Sequence, residues 1–356
     1  MLEIHFQPPE SLSPARLPLL TLALILALHC GRAGADEPSP ATGRLGAIVD
    51  FTEENDAAVG TDRHYTQGAR LAYLGGDNQM PAWVLNVSQA LPALGLDVDA
   101  CRLGFEAGQD IYTPENLAAT SLIANDRPYA GWLYTGLVLQ RRGATGAGQI
   151  PVLENLRLDL GVIGPESLAE DAQVWFHRKW GEHWPQGWDN QLRTEPGFAV
   201  RYQRAWRLAW QRGAQTIADF IPHAGMSLGN VDTSFRVGGM GRLGWNLPED
   251  FGIQTIHSLA VPDGGRLLDD DHHPVGFYFF AGAEGSAVLY TTFLDGNLFS
   301  AGPHVTRVPF VGELQGGAAL VLDRVEIAAT LAFRTREFVG QAGNDGYGSL
   351  VMKYKF

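Results

Sequence analysis

Polar residues that could form a chemical site fall into three separate stretches of the chain. The first covers residues 53–56 and 60–66, the second covers 109–110 and 125–129, and the third covers 177–195. These stretches contain histidine, which can accept a proton near neutral pH, and carboxylate and amide groups, which offer oxygen atoms as hydrogen-bond acceptors. They can form one site only if the fold brings three distant segments together.

The same residues also have simpler interpretations. The pair Asn55 and Asp56 follows a predicted strand, and such pairs commonly form turns because both side chains bond to nearby backbone. Thr66 is an ordinary strand residue, and His177 lies on a predicted amphipathic helix, where histidine more often packs than reacts. The residue types alone are compatible with a functional site and with ordinary structural roles. The predicted secondary structure that carries these residues must be considered to distinguish the two.

The elements that would position these residues are β-strands with a two-residue period. Polar and apolar side chains alternate between residues 325 and 333, and the apolar set is Val325, Ile327, Ala329, Leu331 and Phe333. The last strand likewise places on one face Leu350, Met352, Tyr354 and Phe356. Such strands suit a wall with lipid outside and polar groups inside, although a soluble sandwich also alternates.

Aromatic residues favour the membrane barrel over the sandwich. The chain ends on an aromatic residue that closes an alternating strand. Further aromatic residues lie near strand ends and could form interfacial girdles. They are Trp132, Tyr134, Trp206, Trp245, Tyr278 and Tyr290. We therefore predict an all-β fold, a transmembrane antiparallel up-and-down β-barrel of about twelve strands.

The predicted strands place the polar stretches at one end of the barrel. The strands cover residues 45–54, 65–75, 101–112, 129–141, 154–163, 196–208, 218–230, 233–246, 275–291, 306–321, 324–336 and 346–356. An even strand count lets both chain ends face the periplasm, so the odd-to-even connections lie outside. All three polar stretches then meet at the external rim. The segment 248–274 falls on the periplasmic side and is long for such a turn; His257, within it, has no evident partners.

One external connection carries a predicted helix over residues 168–180. Ser167 and Glu170 have the spacing of a capping box, and Gly181 follows as a stop signal. Acidic residues begin the helix and Arg178 and Lys179 end it, as the helix dipole favours. This helix carries His177 into the loop between the fifth and sixth strands.

The beginning of the chain reads as an export signal. Arg16 precedes an apolar run over residues 17–28, and an Ala-x-Ala signal ends at Ala35. We predict a signal peptide over 1–35, a short linker over 36–44 and the barrel domain over 45–356. The apolar run is shorter than the about 20 residues of a transmembrane helix. The only cysteines, Cys30 and Cys101, cannot supply a disulfide scaffold, and a net charge of −13 argues against nucleic acid.

Several motifs, taken in order, resemble a known family. They are FTEEND at 51–56, YTQG at 65–68, QDIYTP at 109–114, DRPYAG at 126–131, GVIGP at 161–165, and His177 followed by GWDNQ at 187–191. This ordered set resembles the lipid A 3′-O-deacylases of Gram-negative outer membranes, the LpxR-like β-barrels. The resemblance extends from about Leu45 to Phe356.

The resemblance implies an enzyme of the outer membrane. It implies calcium-dependent hydrolysis of the 3′-linked acyl or acyloxyacyl ester of lipid A in the outer leaflet, which remodels lipopolysaccharide. By motif position, the implied functional residues are Asn55, Asp56, Thr66 and His177, with Asp56 and Asn55 as calcium ligands. The family also has an acidic residue after the histidine, and Glu182 is the nearest carboxylate here. The expected partners are lipid A and membrane lipid, with the protein monomeric.

One departure from the family concerns substrate binding. Basic residues that the family can place after the Tyr-Thr-Pro stretch are missing, because Glu115 and its two neighbours stand there. Phosphate contacts to lipid A would then come from Arg63, Arg127 or Arg178. Two rival hypotheses remain: a passive pore or structural barrel, and an outer-membrane phospholipase with a serine nucleophile.

Overall fold

The computed structural model describes residues 45–77, 80–146, 149–180, 184–213, 215–265 and 275–356. The predicted signal peptide and linker lie outside the described residues. Within them, thirteen antiparallel strands form one sheet. The strands are β1 (Ile48–Asn55), β2 (His64–Leu74), β3 (Leu96–Thr113), β4 (Ala130–Thr145), β5 (Ile150–Ile163), β6 (Glu195–Trp206), β7 (Leu208–Arg212), β8 (Gln215–Gly229), β9 (Asp232–Trp245), β10 (Val275–Thr291), β11 (Phe310–Leu322), β12 (Val325–Arg334) and β13 (Asp345–Lys355).

The sheet closes on itself at two places. The first strand pairs with the last, β1 with β13, and β6 pairs with the second half of β8. The short strand β7 follows β6 after Arg207 alone and pairs with the first half of β8. Because β6 and β7 share one position in the wall, the barrel has twelve wall positions. The predicted twelve-stranded antiparallel barrel is confirmed, and β7 is an additional short strand.

Alternation of the wall residues follows the sequence prediction closely. On β12, Leu331 and Phe333 are 47% and 53% exposed on the outside, whereas Glu326 is buried in the lumen. The girdle prediction is wrong for Trp132, Tyr134 and Tyr278, whose side chains are all buried. In each case the alternation of the strand directs the side chain into the lumen, and a position near a strand end was therefore not sufficient to predict contact with lipid.

Three helices lie in the connections between strands. They are α1 (Ala82–Ala90), α2 (Ala169–Trp180) and the short α3 (Thr292–Asp295). The α2 prediction is confirmed, but its capping box is wrong: Ser167 ends a short 3-10 helix, and Leu168, at φ 60°, precedes α2. Among the described residues, no helix is long and apolar enough to cross a membrane.

The two ends of the barrel carry different connections. We call one end the α2 rim; among the described residues, it carries 56–63, 114–129, 164–180, 184–194, 230–231, 292–309 and 335–344. The other end is called the opposite rim, and it carries α1. Thus all three polar stretches of the sequence analysis lie at the α2 rim.

Residues 247–265, which we call the plug, enter the lumen from the opposite rim. Asp250 is paired with Arg242 on β9 and with Lys353 on β13, at 3.4 Å from the latter. Asp263 is paired with Arg102 on β3. Since isolated charges cannot be buried cheaply, these pairs hold the plug inside the barrel. Its length is therefore explained by a lumen segment and not by a long periplasmic turn.

Candidate functional site

The β1–β2 connection is a single 3-10 turn that fixes Asp56. The side chain of Asn55 caps this turn, with its Oδ1 accepting a hydrogen bond from the Ala57 N–H at 2.7 Å. Gly60, at φ 78°, ends the turn in a conformation that suits glycine. The carboxylate of Asp56 accepts a hydrogen bond from the Arg63 N–H at 2.6 Å and is 2% exposed. Asn55 therefore caps and stabilises the turn, and Asp56 is held in a buried position beneath the rim.

The electrostatics of Asp56 are those of a carboxylate without a cationic partner. Burial, with a further contribution from the nearby Asp62, raises the pKa of Asp56 to about 8. Within the described part of the chain, Asp56 forms no ion pair with arginine, lysine or histidine. A bound cation would remove this cost, so Asp56 fits a calcium ligand. Across the same residues, no three His, Cys, Asp or Glu side chains form a ready metal cluster.

Helix α2 packs on the outer face of the barrel wall. On β4, Gly131 faces outward between the buried Ala130 and Trp132, and a Cβ at Gly131 would overlap Ser167 and Ala169. Only glycine therefore lets the start of α2 approach this closely. The outward Gln109 on β3 donates a hydrogen bond to the Ser167 carbonyl at 2.7 Å. These contacts place the site at the edge of the wall and not in the lumen.

The third polar stretch fixes the far side of α2. The indole of Trp188 donates a hydrogen bond to Gln173 Oε1 at 3.0 Å, and its ring packs on Tyr129 at 4.8 Å between centroids. Gln173 lies one helical turn before His177, so this contact sets the rotation of the helix. His177 is consequently buried toward the barrel.

His177 meets a carboxylate that the sequence analysis did not single out. His177 Nε2 lies 3.7 Å from Asp62 Oδ2, and the two side chains are 3% and 39% exposed. Asp62 belongs to the polar stretch 60–66, so the sequence indicated that it lies at the rim. The sequence did not indicate that it pairs with a residue of α2. Glu182, the predicted acidic residue, lies outside the described residues.

Thr66 lies at a β-bulge, where its side chain is buried. The register of β2 against β3 shifts between Tyr65 and Gln67, which leaves Thr66 as the extra residue. Both Tyr65 and Thr66 are therefore buried, and the Thr66 hydroxyl lies 2.7 Å from that of Thr113. Bulges of this kind commonly redirect side chains at functional sites.

A second histidine, His64, ties three rim segments together. His64 Nδ1 lies 2.7 Å from Asp345 on β13, and its Nε2 lies 3.3 Å from Asp126 in the β3–β4 connection. The residue has φ 64°, which is strained for histidine and requires support from these contacts. His64 was present in the flagged stretch, but spacing gave no sign of its two distant partners.

The three predicted substrate arginines occupy different environments. Arg63 is half-buried at the rim beside Glu115 and lies 3.5 Å from Asp345. Arg178 is exposed on α2, with its guanidinium 4.3 Å from the ring centre of Trp184. Arg127 is buried in the lumen, 3.3 Å from Glu337 and stacked on Tyr112. Arg63 and Arg178 thus lie at the surface of the rim, and Arg127 lies beneath it.

The plug reaches the floor of this site. Glu54 accepts hydrogen bonds from the Ile256 N–H and the Tyr65 hydroxyl, both at 2.9 Å. His257 lies 3.5 Å from Glu54 and packs edge-on against Tyr65. The expectation that His257 lacks partners is wrong, because the plug carries it up the lumen. Asn55 and Thr66 are therefore each one residue, and Asp56 is two residues, from a side chain that contacts the plug.

The closed barrel, its apolar outer wall and its polar rim define the class of protein as an outer-membrane β-barrel. The chain belongs to the family described as outer membrane protein LpxR, whose model matches residues 19–356. This confirms the family expected from the motifs and places the protein in the outer membrane.

Two of the solved structures that the chain matches are an LpxR and a porin. LpxR from Salmonella typhimurium is 22% identical, with a TM-score of 0.68 over 87% of this chain and 100% of that chain. A KdgM porin is 7% identical, with a TM-score of 0.38 over 87% of this chain and 99% of that chain. Among curated proteins, no match is found.

Proposed function

We propose that the protein is a lipid A 3′-O-deacylase. It would hydrolyse the 3′-linked acyl or acyloxyacyl ester of lipid A with calcium, and its α2 rim would face the cell exterior. One observation carries the proposal: His177 and Asp62 meet between the outer wall and a helix that packs against it. Membership of the LpxR family supports the same activity. A site at this edge is open to a substrate that stays in the membrane.

The histidine and its carboxylate fit the role of a general base. Neutral imidazole has a reference pKa of about 6.5 and can take a proton from water near neutral pH. The imidazolium formed on His177 would lie against the Asp62 carboxylate, 3.7 Å from Nε2, which stabilises the positive charge. Asp62 is thus a positioning and stabilising residue, and His177 is the base that activates water.

Calcium would be held at the end of β1. Asp56 would supply a carboxylate oxygen, and Asn55, backbone carbonyls, water and substrate oxygens would complete the six to eight ligands that calcium takes. When bound, the ion would polarise the ester carbonyl and stabilise the negative charge of the tetrahedral intermediate. The carboxylate of Asp56 is buried and has no cationic partner among the described residues, which supports this assignment.

Substrate orientation falls to the remaining rim residues. The Thr66 hydroxyl, fixed by Thr113, can donate a hydrogen bond to water or ester. Arg63 in the β1–β2 connection and Arg178 on α2 lie at the surface of the rim and could contact the phosphates of lipid A. Arg127 is buried beneath the rim and paired with Glu337, so it would affect substrate binding only indirectly, through that pair.

The experiment compares His177→Ala with His304→Ala, an exposed histidine on the same rim. Lipid A from cells expressing each variant is analysed by mass spectrometry, with calcium and with a chelator. We expect His177→Ala to reduce deacylation about 10²-fold to 10⁴-fold while the barrel remains folded. His304→Ala should match the wild type, and chelation should abolish activity in both active proteins. Full activity of His177→Ala would refute the proposed base.

The lumen gives little support to the passive-pore hypothesis. The plug crosses it with charge pairs to β3, β9 and β13. Beside the plug lies a cavity of about 110 Å³, lined by charged residues such as Arg236 and Glu284. A planar-bilayer recording with large, stable conductance and unchanged lipid A would favour the pore. Labelling by a serine-directed covalent inhibitor would favour the phospholipase instead.

A further inference from the structure

Helix α1 lies on the outside of the barrel wall at the opposite rim. Its Val84 is buried in a cluster with Cys101 on β3 and Leu139 on β4. Both wall residues point outward, because the neighbouring Arg102 and Gln140 point inward and bond to each other at 2.6 Å. The helix therefore covers the same face of the wall that meets lipid higher up the strands.

The composition of α1 is unusual for a helix facing water. None of its nine residues is charged. Only Val84 and Ser88 are buried, while Trp83, Leu85 and Val87 are 58%, 41% and 45% exposed. Trp83 and Val87 are four residues apart and so share one side of the helix. Exposed tryptophan with aliphatic residues and no charge is typical of a helix in the membrane–water interface.

The exposed residues of α1 continue the lipid-facing surface of the barrel. On the strands beneath and beside the helix, Phe105 and Leu137 are exposed on the same outer face. A lipid surface can cover both sets at once without a break. This continuity with the membrane-facing wall favours lipid over a protein partner as the occupant.

Charged groups beneath α1 are placed as an interfacial helix requires. Arg141 points outward from β4, and it donates hydrogen bonds to the Ser88 carbonyl at 2.9 Å and to Glu154 at 2.8 Å. Arg204 donates to the Leu94 carbonyl at 3.0 Å and lies 3.3 Å from Glu154. The Ser88 carbonyl in the last turn of α1 is therefore satisfied by Arg141, and the Leu91 and Leu94 carbonyls that follow the helix are satisfied by Arg141 and Arg204.

We infer that α1 is a membrane-interface helix: its Trp83–Val87 side lies at the boundary of headgroups and acyl chains in the leaflet at the opposite rim. The inference is independent of the proposed enzymatic function. It assigns α1 a lipid surface as its partner, made of phospholipid headgroups and the first carbons of the acyl chains.

Spin labelling of the full-length protein tests this inference. In a background with both Cys30→Ala and Cys101→Ala, a nitroxide is attached to Val87→Cys, and in a second variant to Trp83→Cys. The proteins are reconstituted into phosphatidylethanolamine–phosphatidylglycerol vesicles. Leu137→Cys on the outer wall gives the lipid reference, and Arg324→Cys in the β11–β12 turn of the opposite rim gives the water reference. Heat-modifiable migration on gels confirms that each variant is folded.

The readout is collision with oxygen, which concentrates in lipid, against collision with a neutral nickel chelate, which stays in water. We expect labels at positions 83 and 87 to favour oxygen over the chelate several-fold, as at position 137. A preference for the chelate, as at position 324, would overturn the inference. Low access of both reagents would also overturn it, because it would mean that protein covers the helix; dipolar broadening would then identify a second copy of the chain.

Discussion

Glu54 at the end of β1 accepts a hydrogen bond, at 2.9 Å, from the backbone N–H of Ile256 at the tip of the plug. The contact joins the two ends of the barrel, since the plug enters from the opposite rim and Glu54 precedes the pair Asn55 and Asp56. The Glu54 side chain is fully buried, and Tyr65 is its second donor. The floor of the proposed site is therefore set by a segment that begins at the other end of the molecule.

Replacing Glu54 tests this connection. Glu54→Leu leaves the Ile256 N–H and the Tyr65 hydroxyl without an acceptor, at a cost of about 1–3 kcal/mol for each buried group. We expect deacylation to fall strongly because Asp56 and Thr66 lose their support, and Glu54→Gln, which keeps an acceptor oxygen, to recover much of it. Thermal unfolding by circular dichroism and deacylation of purified lipid A are measured together.

The matched control for Glu54 is Glu326. The Glu326 carboxylate is also buried, and it accepts hydrogen bonds from Tyr278 at 2.5 Å and from Lys353 at 3.0 Å. It belongs to the ion pairs that hold the plug near the opposite rim, away from Glu54. Glu326→Leu should destabilise the barrel at least as much and leave activity intact at temperatures where it is folded. Equal losses of activity in both variants would show that Glu54 acts only through stability.

Asp62→Asn removes the negative charge beside His177. Without that carboxylate the imidazolium is less stable, so we expect the turnover rate to fall about 100-fold, the lower end of what a general base contributes. Asp189→Asn, an exposed rim carboxylate, serves as the control. An unchanged turnover rate in Asp62→Asn would separate this aspartate from the base.

Gly131→Ala tests the docking of α2. A methyl group there would overlap Ser167 and Ala169, and relief of such overpacking costs roughly 1–3 kcal/mol. Because the helix is outside the wall, we expect it to shift while the barrel stays closed, and activity to fall sharply. Gly285→Ala, where a Cβ meets nothing closer than 4.0 Å, should be silent. Activity is compared with heat-modifiable migration on gels.

The pairing of Asp126 with His64 predicts a dependence on pH. Burial raises the pKa of Asp126, but the hydrogen bond from His64, together with those from the backbone N–H groups of Glu115 and Arg127, holds the pKa below its ordinary value. A carboxyl shifted in this direction stabilises the fold above its ordinary pKa of about 3.9, and this contribution is lost as the pH falls through the lowered value.

We therefore expect residues 114–129 to gain hydrogen exchange, corrected for intrinsic rates, only in strongly acidic solution. His64→Ala should bring the same exchange to higher pH, because the carboxyl loses the partner that favours its charged form. Exchange that is independent of pH in both proteins would contradict this role for His64.

Local patterns were sufficient for the wall and for α2. The alternation at residues 325–333 predicted the outward face of β12, because lipid and lumen impose a strict two-residue period. Charges at both ends of α2 predicted its extent almost to the residue. Each of these patterns depends only on residues that are close together in the chain, and for that reason it can be recognised in the sequence.

Contacts between distant segments could not be predicted in the same way. The pairing of Asp62 with His177 depends on how α2 docks. The partners of His257 depend on a plug whose ion pairs to β1, β3 and β13 join residues more than a hundred positions apart. Trp132 could not be placed from its neighbours either. Its position near a strand end is typical of an interfacial residue, but the alternation of β4 directs its side chain into the lumen, where it is buried. The metal ligands proposed at Asn55 and Asp56 remain a prediction from the family motif.

The ion pairs of the plug also bear on the mechanical behaviour of the barrel. Asp250 and Asp263 connect arcs of the wall that lie far apart around the circumference, from β3 to β9 and β13. Flattening the cross-section would require these buried charges to separate in a medium of low dielectric constant. The diameter of the cylinder should therefore stay constant when the thickness or lateral pressure of the surrounding bilayer changes.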